Sequence, residues 1–321
     1  MDWLLIALIL LLALGTAAYA DGGSVVAESP EFWKLVPKDA KIEKIAGDFQ
    51  FLEGPIWHKD GFLLFSDTRK EAIFKWEEGK GVSVYRQVPG NSNGLTFDKQ
   101  GRLIAVEYGM HRLTRQLADG KVAPLVSEYQ GKRLNTTNDV VVESNGSIYF
   151  TDPTYSVKPE DRRLDFQGVY RLSPYGKLTL LVDDFDQPNG LAFSPDEKIL
   201  YIADSSRRLH IRAFDVKPDG TLANGRIFVE MRTGEPGGPD GLKVDTEGNV
   251  WSTGQGGVWV LDKAGKHLGT IKPPEIPANC AWGDADGKTL YMTARTSLYR
   301  IRTNATGIRP WMNQKLSPTA K

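Results

Sequence analysis

The stretch Asn189-Gly190-Leu191, followed by the apolar run Leu200-Tyr201-Ile202-Ala203-Asp204, is one unit of a pattern that fills the chain. Its head is a carboxylate or amide. It returns as Glu53-Gly54-Pro55, Asn93-Gly94-Leu95, Asn138-Asp139-Val140, Asp240-Gly241-Leu242 and Asn279-Cys280-Ala281, at intervals of 39 to 51 residues. A period of that size marks a repeat architecture in which each unit is one supersecondary element. In a closed ring of such units, equivalent polar positions converge on one axis.

Each unit divides into four strand-like pieces. In the third they are Asp139–Val142, Ser147–Thr151, Gly168–Leu172 and Lys177–Val182. The second piece recurs as Leu63-Leu64-Phe65-Ser66-Asp67, Ile148-Tyr149-Phe150-Thr151-Asp152 and Leu290-Tyr291-Met292-Thr293. Short β-branched, aromatic and aliphatic runs bounded by Gly, Asp and Asn are strand signals. Four strands in each of six units predict an all-β, six-bladed β-propeller with four-stranded blades. The sixth unit lacks a fourth strand, and Lys41–Ile45 lies unassigned upstream of the first head. The expectation is that this N-terminal strand closes the last blade, so that no sheet edge is left open there. The first-to-second connections are short, whereas Ser127–Thr137 and Pro153–Gln167 are long and fall on the face carrying the heads. Function tends to sit on such loops.

Residues 1–20 read separately. Leu4 to Leu14 is uninterrupted Leu, Ile and Ala, and Ala18-Tyr19-Ala20 forms a small-x-small cleavage pattern before Asp21. The run is short for a membrane span, so it reads as a signal peptide, with an uncleaved anchor as the alternative. Residues 21–40 then form an N-terminal extension, 41–305 the propeller and 306–321 a C-terminal tail, in a periplasmic or secreted protein with no membrane association after cleavage. Lys+Arg and Asp+Glu balance at 40 each, leaving no electrostatic footprint for nucleic acid. Cys280 stands alone, so no intramolecular disulfide forms.

Among the heads, Glu53 and Asp240 are charged and the others are amides. Two carboxylates converging in a narrow channel repel one another unless a cation sits between them. Carboxylate and amide oxygens suit a hard divalent ion, Ca²⁺ first, with Mg²⁺ and Mn²⁺ next. The scattered His58, His111, His210 and His267 make Zn²⁺ the least suited. A single Asn-Gly usually means a hairpin turn. Here the Gly is missing after Asn138 and Asn279 while the side-chain oxygen persists in all six heads. Asn93 and Asn279 are read as bonding neighbouring backbone, and Asp67, Asp152 and Asp204 as caps of the loops that follow them.

Glu53-Gly54-Pro55, Gly131 to Val140, Phe150-Thr151-Asp152-Pro153, Pro188 to Asp196 and Pro239-Asp240-Gly241-Leu242 together resemble the senescence marker protein/gluconolactonase/regucalcin-like family, over about Lys41 to Arg302. One departure is Glu107-Tyr108-Gly109, where bacterial members often carry Glu-His-Gly; another is the longer spacing from Arg133 to Asn138. The resemblance implies one catalytic divalent ion in the channel, usually Ca²⁺, and hydrolysis of a small-molecule sugar lactone. It carries the metal ligands onto Glu53, Asn138, Asn189 and Asp240, with Asp240 also the catalytic acid/base. Arg133 and Tyr155 are the candidate substrate contacts, with Lys158 and Arg162 on the same insertion. Two other readings stay open: a phosphotriesterase on the same ion, and a non-enzymatic binding propeller around a structural ion.

Overall fold

The computed structural model describes residues 22–310. The leader read at 1–20 and the end of the tail beyond 310 lie outside the described residues. The innermost strands are Leu52–His58, Ser92–Phe97, Val140–Val142, Pro188–Phe193, Leu242–Val244 and Pro277–Gly283. Each begins an antiparallel sheet running outward in chain order, which makes the six-bladed propeller expected. In the third blade the strands are Val140–Val142, Ile148–Asp152, Gln167–Leu172 and Leu178–Phe185, within a few residues of the pieces read from the repeat.

The ring closes where the last blade takes its outer strand from the other end of the chain. Ile42–Ala46 pairs antiparallel with Ser297–Arg302, Ile42 opposite Ile301 and Lys44 opposite Tyr299. Second strands such as Leu103–Glu107, Ile148–Asp152 and Val250–Gly254 are buried along their whole length. This is why they read as continuous apolar runs rather than alternating ones: both faces pack against a neighbouring blade. One apolar cluster fills each blade interface. Trp57, Phe65 and Trp76 of the first blade meet Tyr291 and Leu298 of the sixth, and Phe150 and Tyr170 of the third meet Ile104 and Leu113 of the second.

The segment expected to be an extension outside the propeller belongs, in its described part, to the fifth blade. Ser24–Ala27 adds a fifth strand outside His267–Lys272, with Ser24 opposite Lys272. The one-turn helix Phe32–Leu35 then drops Phe32, fully buried, into the apolar cluster of Trp251, Leu268 and Ile271. Four residues in alternating half-burial carry little strand signal, so this element depends on the edge it joins. The tail, too, begins inside the fold. Ile308 N donates to Val244 O at 3.1 Å, and Gly307 lies against the Trp282 ring, where a Cβ would be 1.6 Å from Cγ.

Because Phe32 plugs the gap between the fifth and sixth blades, Phe32→Ala should lower the unfolding free energy by about 3–5 kcal/mol. A urea midpoint equal to that of the wild type would mean that the segment only decorates the ring.

Candidate active site

All six heads sit at or just before the start of an innermost strand, on one face of the ring. They are not hairpin turns. The Gly after a head is required because the neighbouring head occupies the space a side chain would fill. A Cβ on Gly54, whose φ is +50°, would lie 2.1 Å from Asn93 O, and one on Gly190 would lie 2.2 Å from Asp240 O. Hydroxyls of the second strands hold these backbones in place: Ser66 Oγ donates to Asn93 O and Thr151 Oγ1 to Asn189 O, each at 2.8 Å. Of the carboxylates read as caps of the loops that follow them, Asp67 and Asp204 behave as such, whereas the Asp152 carboxylate accepts only from Asn135 N. Asp67 accepts from the amides of Gln50, Phe51, Arg69 and Lys70, and Asp204 from those of Asp186, Gln187 and Ser206.

Glu53, Asn138, Asn189 and Asp240 line a single cavity of about 380 Å³ at this mouth. Glu53 Oε2 accepts from Gly54 N at 3.0 Å and from Asn279 Nδ2 at 3.1 Å. Asn279, expected to bond only backbone, therefore holds a candidate ligand, while its Oδ1 takes Cys280 N at 2.8 Å. Asn189 Nδ2 donates to Ser205 Oγ and to the Tyr155 hydroxyl. Two side-chain oxygens of these lining residues, Asn189 Oδ1 and Asp240 Oδ1, are buried without any hydrogen-bond partner. Asp240 as a residue is half-buried, but that oxygen is out of water. Unpartnered buried acceptors are costly, and a cation is the partner that such a set of hard oxygens fits. Among the described residues no three His, Cys, Asp or Glu side chains cluster as a metal site by themselves; the candidate set is two carboxylates and two amides.

The electrostatics agree. Burial, then Glu53 and Asp139, hold the Asp240 carboxyl well above the usual carboxylate range. Burial, opposed by the Gly54 amide and reinforced by Asp139, raises Glu53 as well. Asp139 is a third buried carboxylate that went unread, because it stands where four other heads have Gly. Burial raises its pKa and Lys243 opposes the rise. The Lys243 ammonium lies below the heads, 3.0 Å from Leu242 O and 3.5 Å from Asn279 Oδ1. A Lys inside a short innermost strand was the one signal that could have revealed it.

The substrate candidates separate. Tyr155 lines the cavity, but Arg133 is exposed and donates to Asp161 O at 3.1 Å, pinning the insertion from outside. Lys158 and Arg162 do not line the cavity; Arg162 faces a separate depression with Asp183 and Arg208. The basic group that does reach the mouth is Arg69, whose guanidinium lies 5.6 Å from the Phe51 ring centre. Tyr108, at the Glu-Tyr-Gly departure, also lines the mouth and donates to Thr68 O at 2.9 Å.

A propeller with this axial site defines the class, and comparison with known proteins gives the family. Residues 51–296 match the SMP-30/Gluconolactonase/LRE-like region, and the chain belongs to that family. It is 32% identical over 312 residues to a gluconolactonase of Zymomonas mobilis, covering 89% of this chain and 87% of the relative. The solved structure of a gluconolactonase from Xanthomonas campestris superposes with a TM-score of 0.81 at 34% identity, over 90% of this chain and 98% of that one. A regucalcin of Agrobacterium tumefaciens, 20% identical with a TM-score of 0.69 over 83% and 96% of the two chains, shares the fold.

Two outcomes follow. Gly190→Ala should lower the thermal unfolding midpoint, since the added methyl displaces the Asp240 backbone; a wild-type midpoint would contradict the crowding. The second concerns Asp152, fully buried with Oδ1 unpartnered, which burial pushes from 3.8 up to about 8 against the Asn135 N–H bond. The unfolded chain releases this proton near pH 3.8 and the fold keeps it to about 8, so stability falls as pH rises through that window. Asp152→Asn should therefore melt higher than the wild type at pH 8, with the gap closing toward pH 4; a gap that does not vary with pH would contradict the assignment.

Proposed function

We propose that this chain is a divalent-cation-dependent hydrolase that opens a sugar lactone of the gluconolactonase kind, with Asp240 as the general base. The observation that carries the reading is the pair of bare oxygens, Asn189 Oδ1 and Asp240 Oδ1, on residues that line one cavity with Glu53, where the Lys243 ammonium still leaves the carboxylates raised. The lactonase class is that of the relatives of similar length described above. Glu53, Asn138, Asn189 and Asp240 would hold the ion, for which Ca²⁺ is the best match to the donor set. When bound, it would supply positive charge that polarises the ester carbonyl and would offset the field that raises the Asp240 carboxyl.

The residues of the chain then have distinct tasks. Asp240 accepts a proton from the water that adds to the carbonyl carbon. It returns that proton to the ring oxygen as the carbon–oxygen bond breaks, so the product is the open hydroxy acid. Asn279 and the Gly54 amide fix the Glu53 carboxylate. Thr151 fixes the Asn189 backbone. The cavity opens toward Arg69 and Tyr108, where the hydroxylated part of a substrate would lie. Export to the periplasm or beyond rests on the sequence of residues 1–20 alone.

A panel of sugar lactones tests this. Chelation should abolish hydrolysis and added Ca²⁺ restore it, and Asp240→Asn should lower kcat by about 10²–10⁴-fold. A folded, cation-loaded protein that opens no lactone would sink the reading, and phosphotriester hydrolysis by that same protein would replace it. An Asp240→Asn variant with full activity would remove the base from Asp240.

A further inference from the structure

The hydrogen bonds around Asn189 form a chain whose directions are set at one end. The Pro239 carbonyl can only accept, and Ser205 Oγ lies 2.5 Å from it, so the Ser205 hydrogen is committed there. Ser205 Oγ is also 2.8 Å from the Asn189 amide, and toward that amide it must be the acceptor. This chemistry fixes the amide orientation: the nitrogen faces Ser205, and Oδ1 is left without a protein partner. The second N–H of the same nitrogen reaches the Tyr155 hydroxyl at 3.0 Å. Tyr155 is therefore an acceptor toward Asn189; the Ser205 hydroxyl is the other polar group beside it, and no carbonyl or carboxylate among the described residues takes its hydrogen. Tyr155 lines the same cavity as Asp240, whose Oδ1 is bare.

Tyr155 is 43% exposed; its hydroxyl is held by the Asn189 amide and its backbone by the insertion. It opens the insertion of residues 153–167, whose Val157 and Leu164 are buried on either side of the single turn Pro159–Asp161. Thr154 N donates to Gln167 Oε1 at 2.8 Å, tying the two ends of the insertion together. A donor held this way is already oriented before substrate arrives, the condition under which a hydrogen bond to developing charge is worth most.

We propose that Tyr155 is a catalytic residue: its hydroxyl donates a hydrogen bond to the ring oxygen of the bound lactone as that oxygen departs, while Ser205 is a positioning residue for Asn189. The proposal rests on the lactonase reading. Tyr155 keeps its proton throughout. It stabilises the negative charge that collects on the ring oxygen as the carbon–oxygen bond breaks, and the proton that ends on that oxygen comes from Asp240.

Tyr155→Phe keeps the ring and removes only the hydroxyl. At saturating Ca²⁺ its kcat should fall about 10²-fold, with the Ca²⁺ affinity from calorimetry changed by less than about threefold. The loss should grow across a lactone series as the leaving alcohol becomes more basic, a dependence that a purely structural role would not produce. Ser205→Ala should do the reverse, weakening Ca²⁺ binding by about tenfold or more while kcat recovers at saturating ion. Three results overturn the donor role: a Tyr155→Phe variant with wild-type kcat, a loss that disappears when Ca²⁺ is raised, or a loss equal across the series. A wild type that opens no lactone overturns the lactonase reading itself, and the donor role with it; an active wild type with an indifferent Tyr155→Phe removes the donor role alone.

Discussion

The constraint on which this structure depends is the crowding of six innermost strands around one axis. At the heads they approach so closely that one blade's backbone oxygen stands where the next blade's Cβ would be, as Asn93 O does for Gly54 and Asp240 O for Gly190. That approach buries Glu53, Asp139 and Asp240, which raises the pKa of each, and the charge of Asp139 adds to the rise of Glu53 and Asp240. It also removes water from Asn189 Oδ1 and Asp240 Oδ1 without giving them a protein donor. The site is thus a consequence of how tightly the ring closes. Looser packing would hydrate these oxygens and weaken the case for a cation.

The rest of the fold serves that closeness. Aromatic wedges fill the blade interfaces, with Trp57 stacked on Tyr291 across the seam between the first and sixth blades at 5.4 Å between ring centres. The seam is secured by pairing the two ends of the chain, Ile42–Ala46 with Ser297–Arg302, so the ring cannot open without breaking a sheet. Nearer the axis, polar groups take over. Ser66 and Thr151 each reach across to the head carbonyl of the following blade, and Asp67 and Asp204 gather the amides of the segments entering the innermost strands. Position along a blade therefore decides chemistry: apolar contact holds neighbouring sheets together, and hydrogen bonds set the heads.

Much of this could be read along the chain. The period, the four strands per unit and the closure by an N-terminal strand follow from local signals repeated often enough to reinforce one another. That the heads would share one mouth was legible for the same reason, since equivalent positions in a closed ring must meet; the choice of Glu53, Asn138, Asn189 and Asp240 among them rests on the family resemblance. Asn279 was misjudged because its partner Glu53 is 226 residues away, joined only by closure. Arg133 is a substrate candidate through the family resemblance, yet its guanidinium donates to Asp161 O of the insertion, and it does not line the cavity. Arg69 was passed over because nothing in a turn after Asp67 distinguishes one exposed cation from another.

The sequence by itself determined the repeat, and with it which residues must converge, because strand patterning and head chemistry are local and recur. Only the tertiary structure decided what those residues face. Whether an amide shows its oxygen or its nitrogen to the cavity depends on Ser205 being tied to Pro239, and whether a carboxylate is raised depends on neighbours supplied by other blades. Direction and field are properties of groups brought together across the axis. No single stretch of the chain contains them.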